Sequence, residues 1–413
     1  MTDRHTNAAG RPCPAGRMKR NRRISAVAAL ALAALVTGTG AGFAATTTPS
    51  ATPVATHAFD TAPATATATA PTRSFQGTLP APTGPYAAGE DVIHLTDASR
   101  PDPWVPSSGP RQLTVTMVYP AVPGTGTPAP YMTLAEATGH IQRAKIPASS
   151  GITPQNLSSV TTHAFDGARP QHGKHPLVVL SPGFGDPRVV LTSLATDLAS
   201  HGYVVALVGP TYEDSGETLA NGQTPPCAIC DDLNLDMDTV TASRALDMSF
   251  VIDQLTHGNT AWPLAHLIDK HEIGMAGHSI GGAAAATTMI ADPRVRAGVN
   301  MDGTFHPDPM PGQINRPFLM LGTATNTDWE HPWAALGGYK KWLAVTGANH
   351  PSFTDVDLLE EQAGFPTPPL DPERGIVITR EYVTAFFDQT LKGIHSPLLD
   401  GPSPNNPEVL FQP

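Results

Sequence analysis

Cysteine is scarce in this sequence. Three residues in 413 are too few for a fold stapled by disulfides. Positive charge is scarce too: 25 Lys and Arg face 36 Asp and Glu, a formal net charge of −11 that already counts a basic N-terminal leader. Such a chain repels a phosphate backbone, which excludes a nucleic-acid partner. Long apolar runs are missing as well. The stretch Ile24 to Val36 falls short of the roughly 20 residues that cross a bilayer, which excludes a stable membrane span. No His/Glu spacing of zinc-protease type occurs, and His172 with His175 reads as loop, so no metal is expected.

What is present divides the chain into three parts. Arg17, Lys19, Arg20, Arg22 and Arg23 precede the apolar stretch, and the small residues around Gly42-Phe43-Ala44 follow it. That layout is a secretory signal peptide over residues 1–44, with Met18 as an alternative start, and it predicts a secreted protein. The pair Arg22-Arg23 leaves the export route open between general and twin-arginine secretion. Residues 45–84 are mostly Ala, Thr and Pro, a composition that buries too little apolar surface to offset the entropy of ordering, and they read as a disordered linker. Residues 85–408 alternate apolar runs with turn residues and read as one catalytic domain. Cys13 lies in the leader, so Cys227 and Cys230 remain as a C-x-x-C pair in a proline-rich loop. Behind a signal peptide that spacing reads as a local structural disulfide, against redox or metal chemistry as the alternative.

Leu113 to Tyr119 is β-branched and alternating, an early antiparallel strand. Strand and helix then take turns. Apolar strands are expected at residues 177–180, 203–208, 273–276, 297–301, 317–321 and 341–345, with helices near 191–200, 248–255, 282–290 and 380–391. This alternation predicts an α/β fold, a mostly parallel central sheet with helices on both faces. Its active site belongs at the carboxyl ends of the strands.

Gly277-His278-Ser279-Ile280-Gly281 fits the G-x-S-x-G nucleophile elbow, with an apolar strand before it and a small-residue helix after it. Ser279 is the candidate nucleophile. A serine hydroxyl needs a base to take its proton, and that base follows a later strand. His350, directly after the last strand candidate, is placed for this; His278 and His331 read as structural. The acid has two candidates. Asp302 and Asp328 follow consecutive strands; the need for a buried carboxylate favours Asp302, and Asp328 stands as the alternative. The oxyanion requires two backbone N–H donors, assigned to Ile280 after the nucleophile and to Phe184 in the glycine loop Ser181-Pro-Gly183-Phe184-Gly185.

These motifs resemble the platelet-activating-factor acetylhydrolase family of α/β-hydrolases and its secreted bacterial lipase and esterase relatives. Ser181-x-Gly-x-Gly185 with Arg188, then Asp197-Leu-Ala-Ser-His-Gly-Tyr203, is similar to the family's oxyanion loop and following helix. Gly277-His-Ser-Ile-Gly-Gly282 is similar to its elbow, and Asn349-His350 with Phe353 and Asp355 to its histidine loop. The family's acid lies at the spacing that Asp302 matches. Asn300-Met-Asp302-Gly303-Thr304 departs from it in lacking the aromatic that often follows the acid. The resemblance implies an α/β-hydrolase fold and hydrolysis of short-acyl lipid esters through an acyl-enzyme, with water as the only co-reactant and no cofactor. Lipase or cutinase-like action on polymer esters is the alternative, with Trp329 and Trp333 as a candidate substrate wall, and an inactive binding module is the rival from another class. The helical pattern Met132 to Lys145 is a candidate lid or cap. The sequence carries no signal for an oligomeric state.

Overall fold

A computed structural model describes residues 75–413 apart from 259 and 327. The expected signal peptide, the alternative start and the linker up to residue 74 lie outside the described residues. Residues 75–84, expected in the linker, are instead packed. Phe75 and Leu79 are buried in a cluster with Tyr131, Met132, Leu157 and Val160, and the Thr83 N–H and hydroxyl both donate to Asp197 Oδ1 at 2.8 Å. Two large apolar side chains suffice to anchor a stretch whose composition otherwise reads as unstructured.

The sheet has eleven strands: β1 (Ala87–Pro101), β2 (Pro110–Ala121), β3 (Thr127–Pro128), β4 (Ala164–Asp166), β5 (His175–Ser181), β6 (Val204–Val208), β7 (Ile268–His278), β8 (Val295–Met301), β9 (Phe318–Thr323), β10 (Lys340–Val345) and β11 (Val409–Phe411). Their order is β11-β10-β9-β8-β7-β5-β6-β2-β1-β4-β3. From β10 to β6 all neighbours are parallel. At the flanks, β2 runs antiparallel to both β1 and β6, and β11 runs antiparallel to β10.

The α-helices among the described residues are α1 (Leu134–Arg143), α2 (Pro154–Ser158), α3 (Thr192–Ser200), α4 (Met237–Thr256), α5 (Ile280–Ala291), α6 (Glu330–Ala335), α7 (Val356–Ala363) and α8 (Pro372–Leu391). Parallel strands covered on both faces read as continuous apolar runs, and the packing shows why. Leu177 and Val179 of β5 join one core with the buried stripe of α4 and α5; Val178 and Leu180 join the other with α3 and α8. Successive side chains point to opposite faces, so each strand serves both cores. The expected cap helix spans Leu134–Arg143, between β3 and β4, and starts in a capping box in which Thr133 and Glu136 satisfy each other's backbone N–H groups. Glu136 is buried and pairs with Arg188 Nη1 at 3.1 Å, and Arg188 is also bound by Glu217. Among the described residues, no helix is long and apolar enough to cross a membrane.

Candidate active site

β7 delivers the elbow. Its last residue is His278, and α5 begins at Ile280, so Ser279 makes the whole turn. It does so at φ 55° and ψ −125°, a left-handed conformation that costs a non-glycine residue on the order of 1–3 kcal/mol and persists only where the surroundings impose it. The Ser279 N–H donates to Met301 O at 2.8 Å, which ties the turn to the end of β8. The flanking glycines are required by close approach: a Cβ on Gly277 would lie 2.2 Å from the carbonyl of Gly281, and a Cβ on Gly281 would lie 2.1 Å from Ser181 O. Tight contact between the Ser279 turn and the loop at Ser181 is thus built on absent side chains.

Asp302 follows β8 at φ 54°, on a turn closed by Asn300, whose side chain accepts from Gly303 N–H and donates to Gly303 O, each at 2.8 Å. The carboxyl is buried and fully engaged. Oδ1 accepts from the Thr323 N–H at 2.8 Å and the Thr323 hydroxyl at 3.1 Å, while Oδ2 lies 2.7 Å from His350 Nδ1. Asp328 is exposed, and its backbone N–H donates to Asn326 Oδ1 at 3.2 Å. Of the two candidate acids, the structure brings Asp302 to the histidine.

His350 opens a short turn after β10 and its side chain is 48% exposed. A carboxylate held by two Thr323 donors can only accept, so Nδ1 of His350 carries the proton and Nε2 keeps a lone pair. His278 holds the other side of this residue. It is buried, its Nε2 lies 2.9 Å from His350 O, and the two rings stand 4.5 Å apart. Burial, then repulsion from His350 whenever that ring is protonated, push the His278 pKa down to about 3, so it stays neutral and donates through Nε2. This contact gives His278 a structural role: it ties the residue before Ser279 to the backbone of His350.

The loop expected to supply the second oxyanion donor runs from Ser181 to Gly185. Among the described residues, neither the Phe184 nor the Ile280 backbone N–H meets a protein acceptor, whereas Gly185 N–H donates to Glu213 O at 3.0 Å. The Phe184 and Ile280 side chains pack in an apolar cluster with Trp104, Ile229, Leu235 and Met237. Cys227, bonded to Cys230 in a disulfide, packs against the same cluster.

The expected tryptophan wall fails at Trp329. Trp329 is fully buried, donates from Nε1 to Gly303 O at 2.7 Å and packs 6.2 Å from Trp342. Trp333 lies 6.1 Å from Trp342 with Lys340 Nζ over its ring at 4.2 Å. A fully buried indole offers no face to a substrate, so Trp329 is a packing residue behind the Asp302 turn, while Trp333 is only partly buried. Among the described residues, no group of three His, Cys, Asp or Glu is arranged to hold a metal.

Sequence reading missed the residues that hold the candidate site in place: Thr323 and Asn300 around Asp302, and Arg244 behind the loop Ser181 to Gly185. Arg244 did leave a signal. It falls between Val240 and Met248 on the buried stripe of α4, where a charge is out of place unless it is paired.

The family model for platelet-activating factor acetylhydrolase, isoform II, matches residues 138–218 and 241–392. A probable 1-alkyl-2-acetylglycerophosphocholine esterase from Arthroderma benhamiae is 27% identical over 377 residues, 81% of this chain and 93% of that protein. The platelet-activating factor acetylhydrolase of Bos taurus is 26% identical over 245 residues, 48% of this chain and 52% of that one. Among solved structures, a ferulic acid esterase from Streptomyces cinnamoneus superposes with a TM-score of 0.73 at 39% identity, covering 82% of this chain and 99% of that chain.

Proposed function

The chain belongs to the platelet-activating factor acetylhydrolase, isoform II, family of carboxylic ester hydrolases, and from that premise we propose that it is a secreted serine esterase that works through an acyl-enzyme on Ser279. The observation that carries this reading is the 2.7 Å bond between Asp302 and His350, beside a serine held in the left-handed region. Nε2 of His350 takes the Ser279 proton as Oγ attacks the ester carbonyl. Asp302 holds the imidazole in the tautomer that can do so and stabilises the imidazolium that forms. The oxyanion is received by the N–H groups of Phe184 and Ile280. His350 then gives the proton to the leaving alcohol, and a water activated by the same ring hydrolyses the acyl-enzyme. No further group is required.

A short acyl chain on a lipid is the first reading of the substrate, as in the names of the fungal and bovine relatives. An aromatic acyl group is the second. It is favoured by the cluster of Trp104, Ile229, Leu235 and Met237 around both proposed donors and by the name of the Streptomyces esterase. Hydrolysis of p-nitrophenyl esters from acetyl to palmitoyl, with methyl ferulate alongside, separates the readings. Activity that falls with chain length supports the first, a dominant rate on ferulate moves the assignment to the second, and no activity on any ester contradicts both.

A further inference from the structure

Arg244 is fully buried in α4. A guanidinium taken out of water is destabilising unless its donors are met by fixed acceptors. Glu213 meets one edge, with Oε2 2.7 Å from Nε. The three other hydrogen bonds of Arg244 go to the loop Ser181 to Gly185. Nη1 donates to Ser181 Oγ at 3.1 Å and to the carbonyl of Pro182, and Nη2 donates to the carbonyl of Gly183 at 3.3 Å. One side chain therefore grips three consecutive loop residues.

The grip has a consequence for the next residue. The Gly183 carbonyl and the Phe184 N–H belong to one peptide group, which is planar and trans, so they point in opposite directions. With the carbonyl turned onto Arg244, the Phe184 N–H must face away from it, and there it meets no protein acceptor among the described residues. Glu213 fixes the far side of Phe184 as well, because its backbone carbonyl accepts from Gly185 N–H at 3.0 Å. Its carboxylate is itself held, by Trp104 Nε1 at 3.0 Å and by Arg111 Nη2 at 3.6 Å. Arg111 continues the network to Asp102 at 2.9 Å and Asp247 at 2.8 Å.

We propose that Arg244 is a positioning residue for the oxyanion hole: through the Pro182 and Gly183 carbonyls it sets the direction of the Phe184 N–H, with Glu213 as the second jaw of the clamp. The inference rests on the reading that Phe184 donates to the oxyanion. It makes the buried ion network part of the catalytic geometry, because donors aimed in advance at the developing charge are what speed acyl transfer.

The test is the double variant Arg244→Met/Glu213→Gln, which removes both charges together and leaves no orphan carboxylate. Its kcat on p-nitrophenyl acetate is expected to fall by about 10²-fold with KM within about threefold, since an oxyanion contact acts in the transition state and not in substrate binding. Phosphorylation by diethyl p-nitrophenyl phosphate, which passes through a similar oxyanion, should slow by the same factor. A folded double variant, judged by near-UV circular dichroism, whose kcat stays within about threefold of the parent overturns the proposal. Should the double variant fail to fold, Arg244→Lys keeps the charge for Glu213 but loses the fork that spans two carbonyls. Its kcat should then fall about tenfold at constant KM, and an unchanged kcat or a matching rise in KM overturns the proposal. Ser279→Ala run in parallel separates the two levels: residual activity there means the serine reading has failed, while an inactive Ser279→Ala beside unimpaired Arg244 variants means only the positioning role has failed.

Discussion

Asp302→Asn changes one atom and should remove most of the rate. Oδ1 of Asp302 is already committed to the Thr323 N–H and hydroxyl, both of which require an acceptor. The asparagine must therefore keep its oxygen on Thr323 and turn its amide NH2 toward His350 Nδ1, 2.7 Å away. A donor at that position forces His350 to carry its proton on Nε2, the nitrogen that has to accept from Ser279. The imidazole then sits in place as the wrong tautomer, a defect that typically costs about 10⁴ in kcat, or about 5.5 kcal/mol of transition-state stabilisation. Because the His350 side chain is 48% exposed, water can relax part of this, and a loss of about 10³- to 10⁴-fold is expected. The assay is kcat for p-nitrophenyl acetate at pH 7, with Asp328→Asn as the comparison and near-UV circular dichroism as the check on folding. Asp328→Asn should be close to the parent. A loss under about tenfold in Asp302→Asn, or a larger loss in Asp328→Asn, would refute the tautomer reasoning.

Glu90 lines a cavity of about 50 Å³ with Arg188 and Tyr131, and burial, reinforced by Asp166, raises its pKa from 4.5 to about 8. The folded state thus prefers the protonated form, so the stability it contributes is complete below pH 4.5 and is lost as pH rises through about 8. Glu90→Gln should accordingly gain stability over the parent progressively between these limits and level off above them; urea midpoints at pH 5, 7 and 9 check this, and a difference independent of pH contradicts it. The Cys227–Cys230 bridge closes a loop three residues apart, for which chain entropy gives about 2 kcal/mol. The double substitution Cys227→Ser/Cys230→Ser should lower unfolding stability by about that amount, and the folded domain from residue 75 onward should show no free thiol on titration.

The parallel strands were legible because burial on two faces writes each of them as an uninterrupted apolar run, as in Leu177 to Leu180 and Val204 to Val208. β1 was not. Its exposed and buried residues mix Glu90, Asp91, His94 and Asp97 into fifteen residues, and its register with β2 comes from long-range pairing that no local pattern records. The sharp turn at Gly277 to Gly281 could be read because its glycines answer a steric demand set within five residues. Choosing between Asp302 and Asp328 depended on which carboxylate the fold brings to His350, a contact across 48 residues. Trp329 misled for a related reason: its spacing placed it near a strand end, but not on which side of the Asp302 turn it would lie. Phe75 and Leu79 were hidden by the Ala/Thr/Pro composition around them.

The most direct measurement is covalent trapping. The folded protein is treated with diethyl p-nitrophenyl phosphate, residual activity on p-nitrophenyl acetate is followed, and peptides are mapped by mass spectrometry. Loss of activity in step with one phosphoryl group per chain, carried on the peptide containing Ser279 and absent from Ser279→Ala, is the expected result. An adduct on another residue, or full activity in protein stoichiometrically modified at Ser279, would contradict a serine acyl-enzyme.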